Sequence, residues 1–225
     1  MKENLILAWS GGKDCTLAMH EIKKLDQYSI AALFSTISEQ NERVSMHGTP
    51  RKLLETQARS LGYPLDVVAI PDHCTEDTYR ETMQRAMQDW LDRGVTGVVF
   101  GDIFLEVIRA YRERNLSQIG LKAIFPLWGR DTKTLSQNFI NLGYRAIISC
   151  VDTKQLNRSF AGREYDRSLL AELPQSVDPC GENGEFHTFV YEGPLLSKRV
   201  NFRRGQIQGK QGRFYLYDLV YNKSR

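Results

Sequence analysis

Five short runs rich in β-branched and aromatic residues, at 5–9, 30–37, 65–70, 95–100 and 144–151, are separated by segments of helical period. No other feature constrains the fold as much. Strands that are apolar along most of their length need cover on both faces, and strand, helix, strand connections make parallel neighbours. The sequence therefore predicts an α/β fold: a Rossmann-like parallel sheet with helices on both faces and right-handed crossovers. A helix over 50–61 has Thr49 as its N-cap and Pro50 in its first turn. Leu53, Leu54, Ala58 and Leu61 share one of its faces, and Gly62 ends it. A second helix over 76–93 carries the stripe Tyr79, Met83, Met87, Trp90 and Leu91, which reads as core packing, with Gly94 as its stop. Helices over 16–25, from about 104, and over 134–142 fill the remaining gaps.

Beyond residue 151 the rhythm changes. A short helical piece at 165–173 is followed by Pro174, Pro179 and several glycines. Segments 198–208 and 213–221 then alternate apolar and polar residues around a glycine-bearing turn at 209–212, the pattern of a β-hairpin. The expected division is a first domain over 1–150 and a smaller α+β domain over 151–225. Thirty basic and 27 acidic residues, spread along the chain, leave a net charge of +3. That balance disfavours nucleic acid as a partner and suits a small anionic ligand. No run reaches membrane-spanning length, and the amino terminus lacks a secretory pattern. The cysteines Cys15, Cys74, Cys150 and Cys180 are too far apart for a zinc or disulfide framework, so a cytoplasmic location is expected. A homo-oligomer is compatible with the sequence.

Ser10-Gly11-Gly12-Lys13-Asp14-Cys15 follows the first expected strand and leads into the first helix. The first turn of a helix has unpaired N–H groups and the positive end of the dipole, so a loop there can hold a phosphate. Gly11 and Gly12 let the main chain come close, Ser10 adds a hydroxyl donor and Lys13 a mobile positive charge. The Walker spacing would need glycine at Leu7 and a hydroxyl residue at Asp14. The dinucleotide fingerprint would need glycine at Lys13 and Thr16. Neither condition is met. The hexapeptide instead resembles the PP-loop of ATP pyrophosphatases, with Cys15 in place of the usual serine or threonine. That resemblance implies ATP as ligand and Mg²⁺ beside it, with Asp14 as the metal-placing carboxylate.

A second dense stretch runs from Asp178 through Pro179, Cys180, Gly181, Glu182, Asn183, Gly184, Glu185, Phe186 and His187 to Thr188 and Phe189. An EF-hand calcium loop is disfavoured by Cys180 and Glu182 at ligand positions. Together with Met46-His47-Gly48-Thr49, Phe100-Gly101-Asp102-Ile103 and Pro126-Leu127-Trp128, this stretch is similar to the diphthine–ammonia ligase family, in a short bacterial-type form. The resemblance implies an adenine nucleotide alpha hydrolase-like first domain and an acidic loop closing over the acceptor. The implied chemistry is a carboxylate activated as an adenylate, with release of pyrophosphate, and attacked by ammonia with release of AMP. On this reading Ser10, Gly11, Gly12, Lys13, Asp14, Cys15, His47, Gly101 and Asp102 meet the nucleotide. Glu182, Glu185 and His187 orient ammonia or the acceptor and move protons.

Arg109 and Arg112 share a helical face and could clamp an acidic substrate, with pairing to Glu106 and Glu113 as the alternative. Trp128 reads as a packed aromatic. Two other functions stay open: sulfur transfer or tRNA modification through a cysteine such as Cys180, and nucleotide sensing without turnover.

Overall fold

The computed structural model describes residues 2–210 and 212–222. β1 (Glu3–Ala8), β2 (Tyr28–Ser38), β3 (Leu65–Ile70), β4 (Gly97–Val99) and β5 (Lys122–Ile124) form a wholly parallel sheet in the order β3-β2-β1-β4-β5. Side chains of β1 alternate between two cores. Leu5 and Leu7 pack with α1 (Lys13–Ile22) and α2 (Arg51–Leu61), whereas Ile6 packs with α3 (Glu76–Asp92) and α4 (Glu106–Ser117). That alternation is the period-2 pattern of a strand covered on both faces.

The chain builds outward from β1 to β2 and β3 on one side, then returns to place β4 and β5 on the other. The order therefore reverses between β1 and β4. At such a reversal the loops leaving the two carboxyl ends diverge and open a crevice, where ligands of these sheets bind. The loop 10–15 leaves β1 there, and Gly101 and Asp102 follow β4.

The strand expected at 144–151 forms as β6 (Arg145–Asp152), after α5 (Thr132–Asn141), but it does not join the parallel sheet. It lies in a second, antiparallel sheet of order β7-β6-β9-β8, with β7 (Phe186–Glu192), β8 (Phe202–Lys210) and β9 (Phe214–Tyr221). Its misleading feature is burial on both faces. Ala146 and Ile148 join the same core as Leu5 and Leu7, while Ile147 packs with Leu53 of α2 and with Tyr191. The fifth parallel strand is instead the three-residue β5, too short to show a period.

The carboxyl-terminal hairpin forms as β8 and β9; its expected turn includes Gln211, which lies outside the described residues. A 3-10 turn (Arg158–Phe160) and α6 (Arg167–Glu172) connect β6 to the loop 174–185. Pro50, not Thr49, is the N-cap of α2. Thr49 is buried, and its hydroxyl has no hydrogen-bond partner among the described residues. Gly62 closes α2 in the left-handed conformation, as its position predicts. Among the described residues, no helix is long and apolar enough to cross a membrane.

Candidate active site

A cavity of about 490 Å³ opens at the β1/β4 crevice and extends between α3 and α4. Its polar end is lined by Ser10, Lys13, Asp14, Cys15, His47, Gly101, Asp102, Glu182 and His187. These residues come from four separated sequence regions. Among the candidates, Gly11, Gly12 and Glu185 do not line it.

Loop 10–15 is shaped by contacts from other elements. Gly11 has φ +82°, and a Cβ there would lie 2.7 Å from Gln57 Oε1, so both its conformation and its neighbour require glycine. Gln57 accepts from Trp9 Nε1 at 3.0 Å and donates through Nε2 to Gly11 O at 3.0 Å and to Val190 O at 2.5 Å. The amide of Lys13 donates to Thr188 Oγ1 at 3.0 Å, and Val190 N donates to Gly11 O at 2.9 Å. Strand β7 of the second sheet thus clasps the loop from behind. The amides of Asp14 and Cys15 stand in the first turn of α1, where the helix itself supplies no acceptor.

Lys13 differs from the expectation of a mobile charge. Its side chain is only 2% exposed. Nζ reaches Asp14 Oδ2 at 2.9 Å, donates to the carbonyl of Cys180, and sits 5.7 Å and 5.5 Å from the ring centres of Tyr165 and Phe186. Burial, the largest single effect, would lower its pKa, but Asp14 together with Cys180 and Glu182 outweighs it and the net shift is upward, so the ammonium stays charged. Lys13 pins the second loop to the first from beneath the cavity. Asp14 is pushed up by burial against the pull of Lys13. Its Oδ1 is buried without a hydrogen-bond partner, a free acceptor at the polar end.

Cys15 turns its thiol inward. It donates to Gly12 O at 3.1 Å and lies 3.6 Å from Ser10 Oγ, and burial raises its pKa. Gly101 is fixed by close approach: a Cβ there would lie 2.8 Å from the carbonyl carbon of Asp14 and 2.9 Å from the amide of Cys15. Asp102 pairs with Arg112, whose Nε lies 2.9 Å from Asp102 Oδ2. Arg109 pairs with Glu113 as expected, but Arg112 takes Asp102 rather than Glu106. Trp128 packs against Phe125 and under Arg109, away from the cavity. Met83 packs against the core as expected and also lines the cavity, whereas Tyr79, expected in the core, lines the cavity at the edge of the apolar stripe of α3.

The loop 178–185 separates its acids by task. Glu185 is fully buried. Its Oε1 accepts from the amide of Asp178 at 2.9 Å and from Asn183 Nδ2 at 3.1 Å, which closes the loop on itself. This carboxylate faces the loop's own backbone, not the cavity where sequence reasoning had put it. Asp178 Oδ2 accepts from the amides of Cys180 and Glu182, each at 3.0 Å.

Glu182 reaches across to the parallel sheet. Its Oε1 accepts from Ile103 N at 2.7 Å, and its pKa is pushed up to about 7. Burial is the main cause, with Asp14 and Asp102 adding to it; the Ile103 amide and Lys13 pull the other way. A carboxyl poised near neutrality in a cavity can both take and give a proton. His187 stacks on His47 with ring centres 4.2 Å apart. Burial, aided by Lys13, lowers His187 to about 4, and burial with His187 lowers His47 well below the usual imidazole range, so both rings are neutral near pH 7.

Sequence reasoning did not single out Gln57, Thr188 or Asp178. Gln57 had a readable signal, since it interrupts the apolar face of α2 formed by Leu54, Ala58 and Leu61. Thr188 and Asp178 lay inside the dense stretch, but their partners are backbone groups, to which a residue pattern is blind.

Residues 2–123 match the model of the diphthamide synthase N-terminal domain, and residues 131–218 match that of the diphthamide synthase C-terminal domain. The chain belongs to the diphthamide synthase family. It is 30% identical over 146 residues to the diphthine–ammonia ligase of Schizosaccharomyces pombe, covering 63% of this chain and 24% of that protein. With the Danio rerio diphthine–ammonia ligase it shares 32% over 112 residues, 47% of this chain and 44% of the relative. With the Homo sapiens diphthine–ammonia ligase the match is 23% over 218 residues, 85% and 79% of the two chains. This family member thus spans less than half the length of the first two relatives. A solved structure described as a predicted subunit of tRNA methyltransferase from Methanocaldococcus jannaschii superposes with a TM-score of 0.42 at 16% identity, over 85% of this chain and all of the other. That likeness is too loose to bear on function.

Proposed function

We propose that this chain is an ATP-dependent amide ligase that activates a carboxylate as its adenylate and transfers it to ammonia. The observation that carries the reading is the meeting, in one cavity at the β1/β4 reversal, of loop 10–15 with Asp102 and a glutamate poised near neutral pH. Family membership and the named activity of the relatives support the same reading.

In this scheme the nucleotide's phosphates lie against the first-turn amides of Asp14 and Cys15 and the Ser10 hydroxyl. A carboxylate oxygen of the acceptor attacks the α-phosphorus, and the bond to the β-phosphate oxygen breaks with loss of pyrophosphate. Ammonia then attacks the acyl carbon, AMP leaves, and the proton lost from nitrogen passes to Glu182. The neutral ring of His187 or His47 accepts an N–H of the incoming ammonia. Among the described residues no cluster of three potential ligands could hold a metal unaided. Mg²⁺ usually takes one or two carboxylates and completes its shell with phosphate and water, so Asp14 with its partnerless Oδ1 fits as the protein ligand. When bound, the ion neutralises phosphate charge.

Sulfur transfer fits less well. Burial pushes the Cys180 thiol far up, its Sγ donates to Thr132 O at 3.3 Å, and Cys15 is likewise held as a buried thiol. Cys15, Cys74 and Cys180 as thiols suit a cytoplasmic location.

The test incubates the full chain with Mg²⁺, ATP, ammonium and a panel of carboxylates. AMP and pyrophosphate formed in equal amounts, only with both ammonium and an acceptor, is the expected result. Formation of ADP, dependence on sulfide, or failure to bind ATP at millimolar concentration overturns the reading.

A further inference from the structure

The cavity does not end at the nucleotide loop. It continues between α3 and α4 over an apolar floor that includes Met87, Leu116 and Ile119, and there Arg112 projects into it. Three cationic residues line the cavity among the described residues: Lys13, Arg80 and Arg112. Lys13 is sealed beneath it. Arg80 is exposed and pairs with Asp77 of its own helix at 2.6 Å.

Arg112 is different. Its guanidinium carbon lies 4.2 Å from the centre of the Phe100 ring, and its two contacts to Asp102 are unevenly made. Nη2 donates to Oδ1 at a long 3.2 Å. Nε approaches Oδ2 to 2.9 Å, yet no hydrogen bond joins those two buried atoms. A guanidinium prefers two parallel bonds to one carboxylate, and a buried N–H left unbonded is costly.

We infer that Arg112 receives the carboxylate of the acceptor in the α3–α4 crevice, exchanging Asp102 for a ligand that offers two coplanar oxygens. This rests on the amide-ligase reading of the same cavity. The apolar floor of Met87, Leu116 and Ile119 gives the chemical class: a carboxylate on an aliphatic stem matches guanidinium and floor together. The ring of Phe100 beside the guanidinium holds it at the wall of the crevice.

Calorimetric titration of the full chain with hexanoate tests this, with and without Mg²⁺–ATP. Hexanoate binds the natural protein, hexylamine with the same stem does not, and Arg112→Gln weakens hexanoate about tenfold or more, the loss of a charge-assisted pair, while ATP affinity changes little. Arg112→Lys, which keeps the charge without the fork, falls between. Equal binding of hexanoate and hexylamine to the natural protein overturns the assignment without any variant. So does hexanoate affinity unchanged in Arg112→Gln, or no hexanoate binding at all. Equal losses of ATP and tripolyphosphate affinity in Arg112→Gln would give Arg112 to the phosphates and also overturn it. Arg112-dependent hexanoate binding on a chain that binds no ATP would instead uphold the crevice and remove the ligase reading.

Discussion

Two glycine-rich loops meet at the cavity, and they are held in opposite ways. Loop 10–15 is shaped from outside, by Gln57 of α2 and by Thr188 and Val190 of β7. Loop 178–185 is shaped largely from inside, by its own Asp178 and Glu185 accepting from its own amides and from Asn183, and is tied outward by Lys13 and Tyr165 at its carbonyls. The difference teaches that a dense run of acids is not by itself a catalytic cluster. Of the three acids in the second loop, two hold the backbone, and only Glu182 lines the cavity.

The comparison breaks most sharply at Glu185. Replacing this fully buried side chain with alanine strips the partner from two part-buried donors, the Asp178 amide and Asn183 Nδ2, and should cost roughly 2–6 kcal/mol, summing about 1–3 per group. Chemical denaturation checks this; a loss no larger than that of Glu182→Ala would refute the inside-held picture. Lys13→Ala comes next. It removes the tie between the two loops and leaves Asp14 without its cation, a loss on the order of 3 kcal/mol of stability as well as weaker nucleotide binding. Full stability with only ATP affinity reduced would return Lys13 to the role of a simple phosphate contact. Gly101→Ala tests the first loop alone. Its new Cβ must displace the backbone of Asp14 and Cys15, at about 1–3 kcal/mol by the usual cost of overpacking, and calorimetry should show weakened ATP binding.

Glu182→Gln is a smaller effect with a definite sign. The folded carboxyl has been raised from its ordinary value of 4.5 to about 7. Its contribution to stability is therefore complete below 4.5 and is lost as pH rises through 7. Glutamine carries no such penalty, so the variant should gain on the natural protein above pH 7 by about 2–4 °C in melting temperature per kcal/mol recovered. Natural activity should rise with pH through about 7, as the base form appears, and the variant should lack that rise. Cys15→Ser is the mildest, within about 1 kcal/mol because the hydroxyl can keep the bond to Gly12 O; a collapse in the melting curve would show that sulfur packing matters more than the bond.

Much of this was legible in the residues. The alternation of strand and helix identified the parallel sheet, and Gly62 and Gly94 marked helix ends, because local backbone chemistry acts at those positions. The hexapeptide at residues 10–15 was legible as a turn between β1 and α1 for the same reason, and it lies at the cavity. What could not be read is what depends on distant partners. Nothing in residues 144–151 says that they pair with β7 and β9, since burial on both faces is common to parallel strands and to this one. Glu182 and Glu185 are alike in type and three positions apart, and only the fold tells which faces the ligand. Lys13 in the motif looks like a reaching side chain until Tyr165 and Phe186 close around it.

The clasp of β7 on loop 10–15 also bears on the order of synthesis. The ribosome makes the glycine loop well before residues 180–190, where its Lys13 amide, Gly11 carbonyl and Lys13 ammonium find their partners. A nascent chain halted after the parallel sheet would carry the whole nucleotide motif with its back unsupported. On the proposed function, competence for ATP should therefore arrive only when residues 180–190 have left the exit tunnel and folded back onto the loop.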